Sequence, residues 1–125
     1  MTKGINEIRE KLKKTLESFL GPLKVKVNKP SNFELMGTIE TYQGKQKVEG
    51  IYFSSLVPKD KDVRLYFFPA YTHPQEFESL SETLKKFKKG KSCFHIKYLD
   101  EELENEIQNM ISKGVELYKK DGWLE

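Results

Sequence analysis

Cys93 and His95 stand two residues apart in a segment, Ser92 to Tyr98, that reads as a β-strand. Residues at that spacing share one face of a strand, so a thiol and an imidazole would lie side by side. Such a pair suits two kinds of chemistry: ligation of a soft metal, or activation of a sulfur nucleophile. Two ligands do not complete a metal site, however, and the chain has no second cysteine and only one other histidine, His73. Free cysteine is among the most buried residue types. Cys93 therefore reads first as a packed strand residue, and His95 as its half-buried neighbour.

Two charged clusters flank that strand. Lys85, Lys86, Lys88, Lys89, Lys91 and Lys97 have no acid among them, which would suit phosphate or nucleic acid. The first four crowd what reads as a helix C-terminus, where the helix dipole favours cations. The cluster lacks arginine, the fork that reads phosphate bidentately, and its interleaved aromatics, Phe87 and Phe94, fall at core positions. These features argue against a nucleic-acid partner. Asp100, Glu101, Glu102 and Glu104, with Glu106, follow the strand. Carboxylates at that density suit weak binding of a hard cation such as iron, calcium or magnesium. They also suit the start of a helix, with Lys113, Lys119 and Lys120 completing the dipole logic at its end. No phosphate-binding loop, glycine-rich dinucleotide turn, histidine pair or serine nucleophile motif is present. The expectation is a non-enzymatic protein.

The elements that must position these residues follow from periodicity. Ile5, Ile8, Leu12, Leu16 and Phe19 recur at helical spacing, so residues 4–20 are expected to form an amphipathic helix. Glu7–Lys11 and Glu10–Lys14 pairs would add only ~0.2–0.5 kcal/mol each, against ~1.5–3 kcal/mol for each buried apolar side chain. Gly21-Pro22 ends the helix. Leu23, Val25 and Val27 alternate with Lys24 and Lys26 as in a half-buried strand. Phe33 to Tyr42 reads as a second strand, Val48 to Val57 as a third and Val63 to Phe68 as a fourth. Turns this short permit only antiparallel neighbours. After Pro69, Thr72 with Gln75 and Ser79 with Glu82 have capping-box spacing, so one or two short helices are expected before the last strand. Asp100 caps a final helix with the core stripe Leu103, Ile107, Met110, Ile111, Gly114, Leu117 and Tyr118, which stops at Gly122-Trp123. The fold class is α+β: a mainly antiparallel sheet of about five strands flanked by N- and C-terminal helices, as one domain over residues 1–125.

Composition sets further bounds. A formal charge of +3 is too small to signal a dedicated nucleic-acid binder. A single cysteine precludes an intramolecular disulfide and suits a reducing compartment. The N-terminus has no apolar signal region, and no run approaches the ~18 apolar residues of a membrane span. The expected location is cytoplasmic, without membrane association.

The third and fourth strands are apolar on both faces: Ile51, Phe53 and Val57 alternate with Tyr52 and Leu56, and Leu65 and Phe67 with Tyr66 and Phe68. Such strands need cover on both sides. The terminal helices can supply one cover; the short helices, Trp123, a second subunit or a ligand must supply the other. Tyr52, Tyr66, Phe68, Tyr71 and Trp123 are thus the candidate contact surface for a small molecule or protein, with Lys91, Cys93 and His95 at its edge. A homodimer would be one way to cover it.

Gly90-Lys91-Ser92-Cys93-Phe94-His95, then Leu99-Asp100, then Gly114-Val115-Glu116-Leu117-Tyr118-Lys119-Lys120-Asp121-Gly122-Trp123 resemble the YdhG-like domain family of unknown function. Tyr71-Thr72-His73-Pro74 is similar to its upstream segment. The likeness is dense over residues 66–124 and rests on element order alone over 1–65. It implies an α+β domain with an antiparallel sheet between terminal helices. One branch of the wider family is similar to a bacterial intracellular iron chaperone that works like frataxin. That branch would imply iron as cargo, held through Asp100, Glu101, Glu102 and Glu104. The Gly-Lys-Ser-Cys-Phe and Gly-Trp signatures belong to a different subgroup, for which no catalytic residues carry over.

Overall fold

Ile8, Leu12 and Leu16 return at helical spacing, and in the computed structural model, which describes residues 1–125, they form the buried stripe of helix α1 (Ile5–Glu17). The helix is shorter than the 4–20 expected, leaving Phe19 half-buried and Leu20 exposed beyond its end. The expected ion pairs along it do not form. Glu10 instead accepts from Arg9 at 2.8 Å, and Lys11 reaches Glu104 of the last helix at 3.6 Å. Arg9 is buried and donates to the carbonyl of Lys29 at 3.1 Å, tying the helix to the first sheet turn.

The main sheet has six strands, one more than expected: β1 (Leu23–Lys29), β2 (Asn32–Gly37), β5 (Tyr52–Pro58), β6 (Val63–Phe67), β7 (Lys88–Lys89) and β8 (Cys93–Ile96). Their order is β1-β2-β5-β6-β8-β7, and every neighbouring pair is antiparallel. Short strands β3 (Thr41–Gln43) and β4 (Gln46–Val48) form a separate hairpin.

That hairpin corrects the expectation of one strand from Phe33 to Tyr42. The chain leaves the sheet at Gly37, whose N–H donates to the carbonyl of Ile51 at 2.8 Å. Gly50 lies so close that an added Cβ would fall on the Gly37 carbonyl. Two glycine backbones in contact let β2 and β5 converge while the residues between them fold away. The alternation expected for β1 is also broken. Its pairing with β2 shifts between Val25 and Val27, and Val25 is 38 % exposed on what is an edge strand. The added sixth strand is β7. Lys88 and Lys89 do not continue a helix but pair with Phe94 and Cys93 across a turn at Gly90, where φ is +79° and glycine is favoured.

Between β6 and β7 run helix α2 (Pro69–Thr72), a 3₁₀ turn (Pro74–Phe77) and helix α3 (Glu82–Phe87). Pro69 opens α2 rather than only closing the sheet. Neither expected capping box forms. The cap of α3 is Ser81, whose Oγ accepts from the Leu84 N–H at 3.2 Å. Asp100 does cap the last helix, α4 (Glu101–Lys120), accepting from the Leu103 N–H at 2.8 Å. The expected stripe on α4 is buried apart from the half-buried Leu117, and Val115 joins it.

Helices α1 and α4 lie on one face of the sheet and bury one contiguous core. Paired residues share a face, which places Phe33, Leu56, Leu65 and Phe94 in one covered row and Leu35, Ser54 and Phe67 in the next. Phe53 joins them, meeting Phe67 edge-on at 5.7 Å and Tyr118 at 5.8 Å. Gly114 allows α4 this close: a Cβ there would lie 2.6 Å from the Phe67 ring. Buried Ser54 is satisfied, donating from Oγ to the Tyr66 carbonyl at 2.6 Å. No helix is long and apolar enough to cross a membrane.

Candidate functional site

The same pairing defines the opposite face. Glu34, Ser55, Tyr66 and Cys93 form one row across β2, β5, β6 and β8, and Val57, Arg64 and His95 form the next. Met36 and Tyr52 stand at the other end. Neither long helix reaches this face. The β3–β4 hairpin overhangs part of it, leaving a cleft of about 740 Å³ floored by Met36 and Tyr52. The Tyr52 N–H reaches Gln43 Oε1 of the hairpin at 3.4 Å.

Aromatic rings pave the end nearest α2. Tyr52 meets Phe68 at 5.4 Å, Phe68 stacks on Tyr71 at 5.6 Å with a 16° interplanar angle, and Lys91 Nζ lies 5.8 Å from the Tyr71 ring centroid. The Tyr52 hydroxyl shares a 2.7 Å hydrogen bond with Ser55 Oγ. Burial raises the Tyr52 phenol to about 12, even though the Ser55 bond pulls the other way.

Cys93 and His95 do share this face. The thiol is raised above its ordinary value because burial disfavours the thiolate, with the Tyr66 hydroxyl and the Arg64 charge opposing that shift. His95 is lowered, first by burial and then by the Arg64 charge; its Nδ1 lies 3.7 Å from Asp62 Oδ2, which pulls the other way. A protonated thiol beside a neutral imidazole is poorly poised for nucleophilic attack.

Trp123 is not on the sheet surface where it was expected. Helix α4 ends with Gly122 at φ +80°, the Gly122 N–H bonding the Lys119 carbonyl at 3.1 Å and the Trp123 N–H the Tyr118 carbonyl at 2.9 Å. This glycine cap brings the side chains before and after it together, and Trp123 packs on Tyr118 at 4.9 Å. The indole then closes a cleft of about 630 Å³ whose walls include Tyr71 and Lys91. Seven of the eight candidate residues thus lie on the uncovered face or at its end, and the eighth reaches them across this cleft.

A hydrogen-bond chain behind the cleft was not visible in the sequence. Thr72 Oγ1 lies 2.8 Å from both the Tyr118 hydroxyl and His73 Nδ1, and His73 Nε2 lies 2.7 Å from Asp121 Oδ2. With His73 Nε2–H donating to Asp121, the Thr72 hydroxyl donates to Nδ1 and the Tyr118 hydroxyl donates to Thr72. The chain satisfies the buried Tyr118 hydroxyl, whose phenol burial raises strongly, and pins α2 to the end of α4. In the sequence, Thr72-His73 reads as a helix start and as part of a motif. Its partner Asp121 lies 48 residues away, and no local signal links them.

The acids at the start of α4 are dispersed among separate tasks. Asp100 caps, Glu104 pairs with Lys11, and Glu106 accepts from the Ser81 N–H and hydroxyl at 2.7 and 2.6 Å. Glu101 and Glu102 point to solvent. No three His, Cys, Asp or Glu side chains gather as a metal-binding group. Compared with known proteins, the chain matches no family model, no curated protein and no solved structure.

Proposed function

We propose that this chain is a YdhG-like binding module, not an enzyme, that holds a small ligand on the uncovered face of its sheet. The observation behind it is the ladder Tyr52–Phe68–Tyr71–Lys91, aromatic surface left without a covering helix. Ligand sites combine apolar walls with a few polar groups that fix orientation; here Tyr66 and Cys93 supply them beside the ladder. The raised Cys93 thiol disfavours the thiolate that nucleophilic chemistry would need. A single, half-buried free thiol suits the reducing cytoplasm.

The test is a titration with a library of aromatic fragments, followed by amide NMR. Binding fragments should shift Tyr52, Tyr66, Phe68, Tyr71, Lys91 and Cys93 as one group. Shifts confined to the helical side, or a stable dimer that shields these same amides, would overturn the assignment.

A further inference from the structure

The Tyr71 end of the uncovered face opens into the cleft closed by Trp123, at about 630 Å³. Small-molecule sites commonly occupy roughly 300–1,000 Å³. Two ring surfaces line it: Tyr71, 52 % exposed, and the half-exposed Trp123. Both are held in place, Tyr71 by its stack on Phe68 and Trp123 by the glycine cap and its contact with Tyr118. Fixed rings lose little freedom when a ligand docks.

The charge in this cleft is one-sided. Lys88 and Lys91 line it, no carboxylate does, and neither lysine forms an ion pair. The other large clefts differ. Under the hairpin, Glu34 and Glu49 face lysines, with Lys26 and Glu34 3.8 Å apart, and the loop cleft at residues 58–64 mixes Asp60 and Asp62 with its cations. Of these three, only the cleft at Trp123 combines aromatic walls and lysines with a lining free of carboxylates. Lysines act as point charges and accept phosphate or carboxylate alike.

We propose that this cleft binds a small anion carrying a flat ring, a nucleoside monophosphate or an aryl carboxylate, which rests on the binding reading above and names its ligand class. The ring lies against Tyr71 and Trp123, and the anionic group meets Lys88 and Lys91. Thr72 also lines the cleft, but its hydroxyl is engaged by His73 and Tyr118.

Trp123 is the only tryptophan, so its indole N–H resonance reports on this cleft alone. The probes are AMP, benzoate, adenosine and inorganic phosphate. AMP or benzoate should shift the indole resonance saturably, and whichever binds tighter identifies the source of the anion. Adenosine and inorganic phosphate should each bind about tenfold more weakly, as should the better anion with the K88Q/K91Q protein. Lys91 is exposed and Lys88 half-buried, and an unchanged circular dichroism spectrum will establish the fold. An indole resonance unmoved by AMP and benzoate at millimolar concentration, or adenosine binding as tightly as AMP with benzoate inert, overturns the anion assignment. If fragments still shift Tyr52, Tyr66 and Cys93, the sheet-face reading survives that failure; if no fragment does, both fall.

Discussion

Both faces of the main sheet carry aromatic rings and treat them in opposite ways. Under α1 and α4 the rings belong to phenylalanines: Phe33, Phe53, Phe67 and Phe94 are fully buried. On the other face they belong mainly to tyrosines: Tyr52 and Tyr66 are half-exposed and Tyr71 more so, with Phe68 the exception. A phenol has an apolar body and a polar tip, so it can line a surface that is neither core nor fully wet. Tyr118 is the converse case, a tyrosine in the core whose hydroxyl needs Thr72. Aromatic content alone therefore does not distinguish packing from presentation; the choice between phenylalanine and tyrosine, strand by strand, does so better.

If that contrast is right, substitutions on the two faces should separate in size. Phe67→Ala removes a ring packed edge-on against Phe53 and Phe77 and should cost about 3–5 kcal/mol in urea denaturation. Gly114→Ala places a Cβ 2.6 Å from that same ring, and overpacking of this kind should cost about 1–3 kcal/mol by the same measurement. A cost near zero would mean that α4 can lift from the sheet and that the covered face is loosely packed.

The third effect is pH-dependent and belongs to the uncovered face. Folding raises the Tyr52 phenol from its ordinary 10 to about 12, so the unfolded chain gives up this proton first. The associated stability is fully present below pH 10 and declines as pH rises from 10 towards 12. Tyr52→Phe should flatten part of that decline, while Tyr118, raised in the same direction, keeps its share. An unchanged alkaline slope in Tyr52→Phe would show that the phenol is not held in the buried, protonated state. The smallest effect is expected for Tyr71→Ala, below about 0.5 kcal/mol, as for an exposed surface position. A loss comparable to that of Phe67→Ala would erase the contrast and indicate that something covers this face in solution.

Much of the architecture was legible from periodicity. The stripes of α1 and α4 and the alternation of Leu65 and Phe67 with Tyr66 on β6 come from residues repeating one pattern, and packing followed it. On β5 a register shift at Phe53 instead puts Leu56 on the covered face with Phe53, and Val57 on the face of Tyr52, against the expected alternation. What escaped was decided by contacts between distant residues. Nothing local to Phe33–Tyr42 reveals that Gly37 must meet Gly50. Lys88 and Lys89 look like a helix end until β8 offers them partners. Thr72 has the chemistry of a cap, but Tyr118 and His73 claim its hydroxyl. The candidate site shows the same division. Tyr52 and Tyr66 were recognisable as strand residues on the second face, whereas the cleft required α2 with Tyr71, the β7–β8 hairpin and the residues after α4 to converge.

The contact of Gly37 with Gly50 also bears on how the molecule could change. It clamps the ends of residues 38–49 together through the backbone, so that segment is a loop already closed by the sheet. Each doubling in length of such a flexible loop costs only about 0.6 kcal/mol in closure entropy. The hairpin is therefore a grafting port: sequence inserted at Gly44, where the backbone already turns, would hang over the tyrosine face without shifting the strands beneath. Such an insertion offers a way to acquire new specificity while leaving the core untouched.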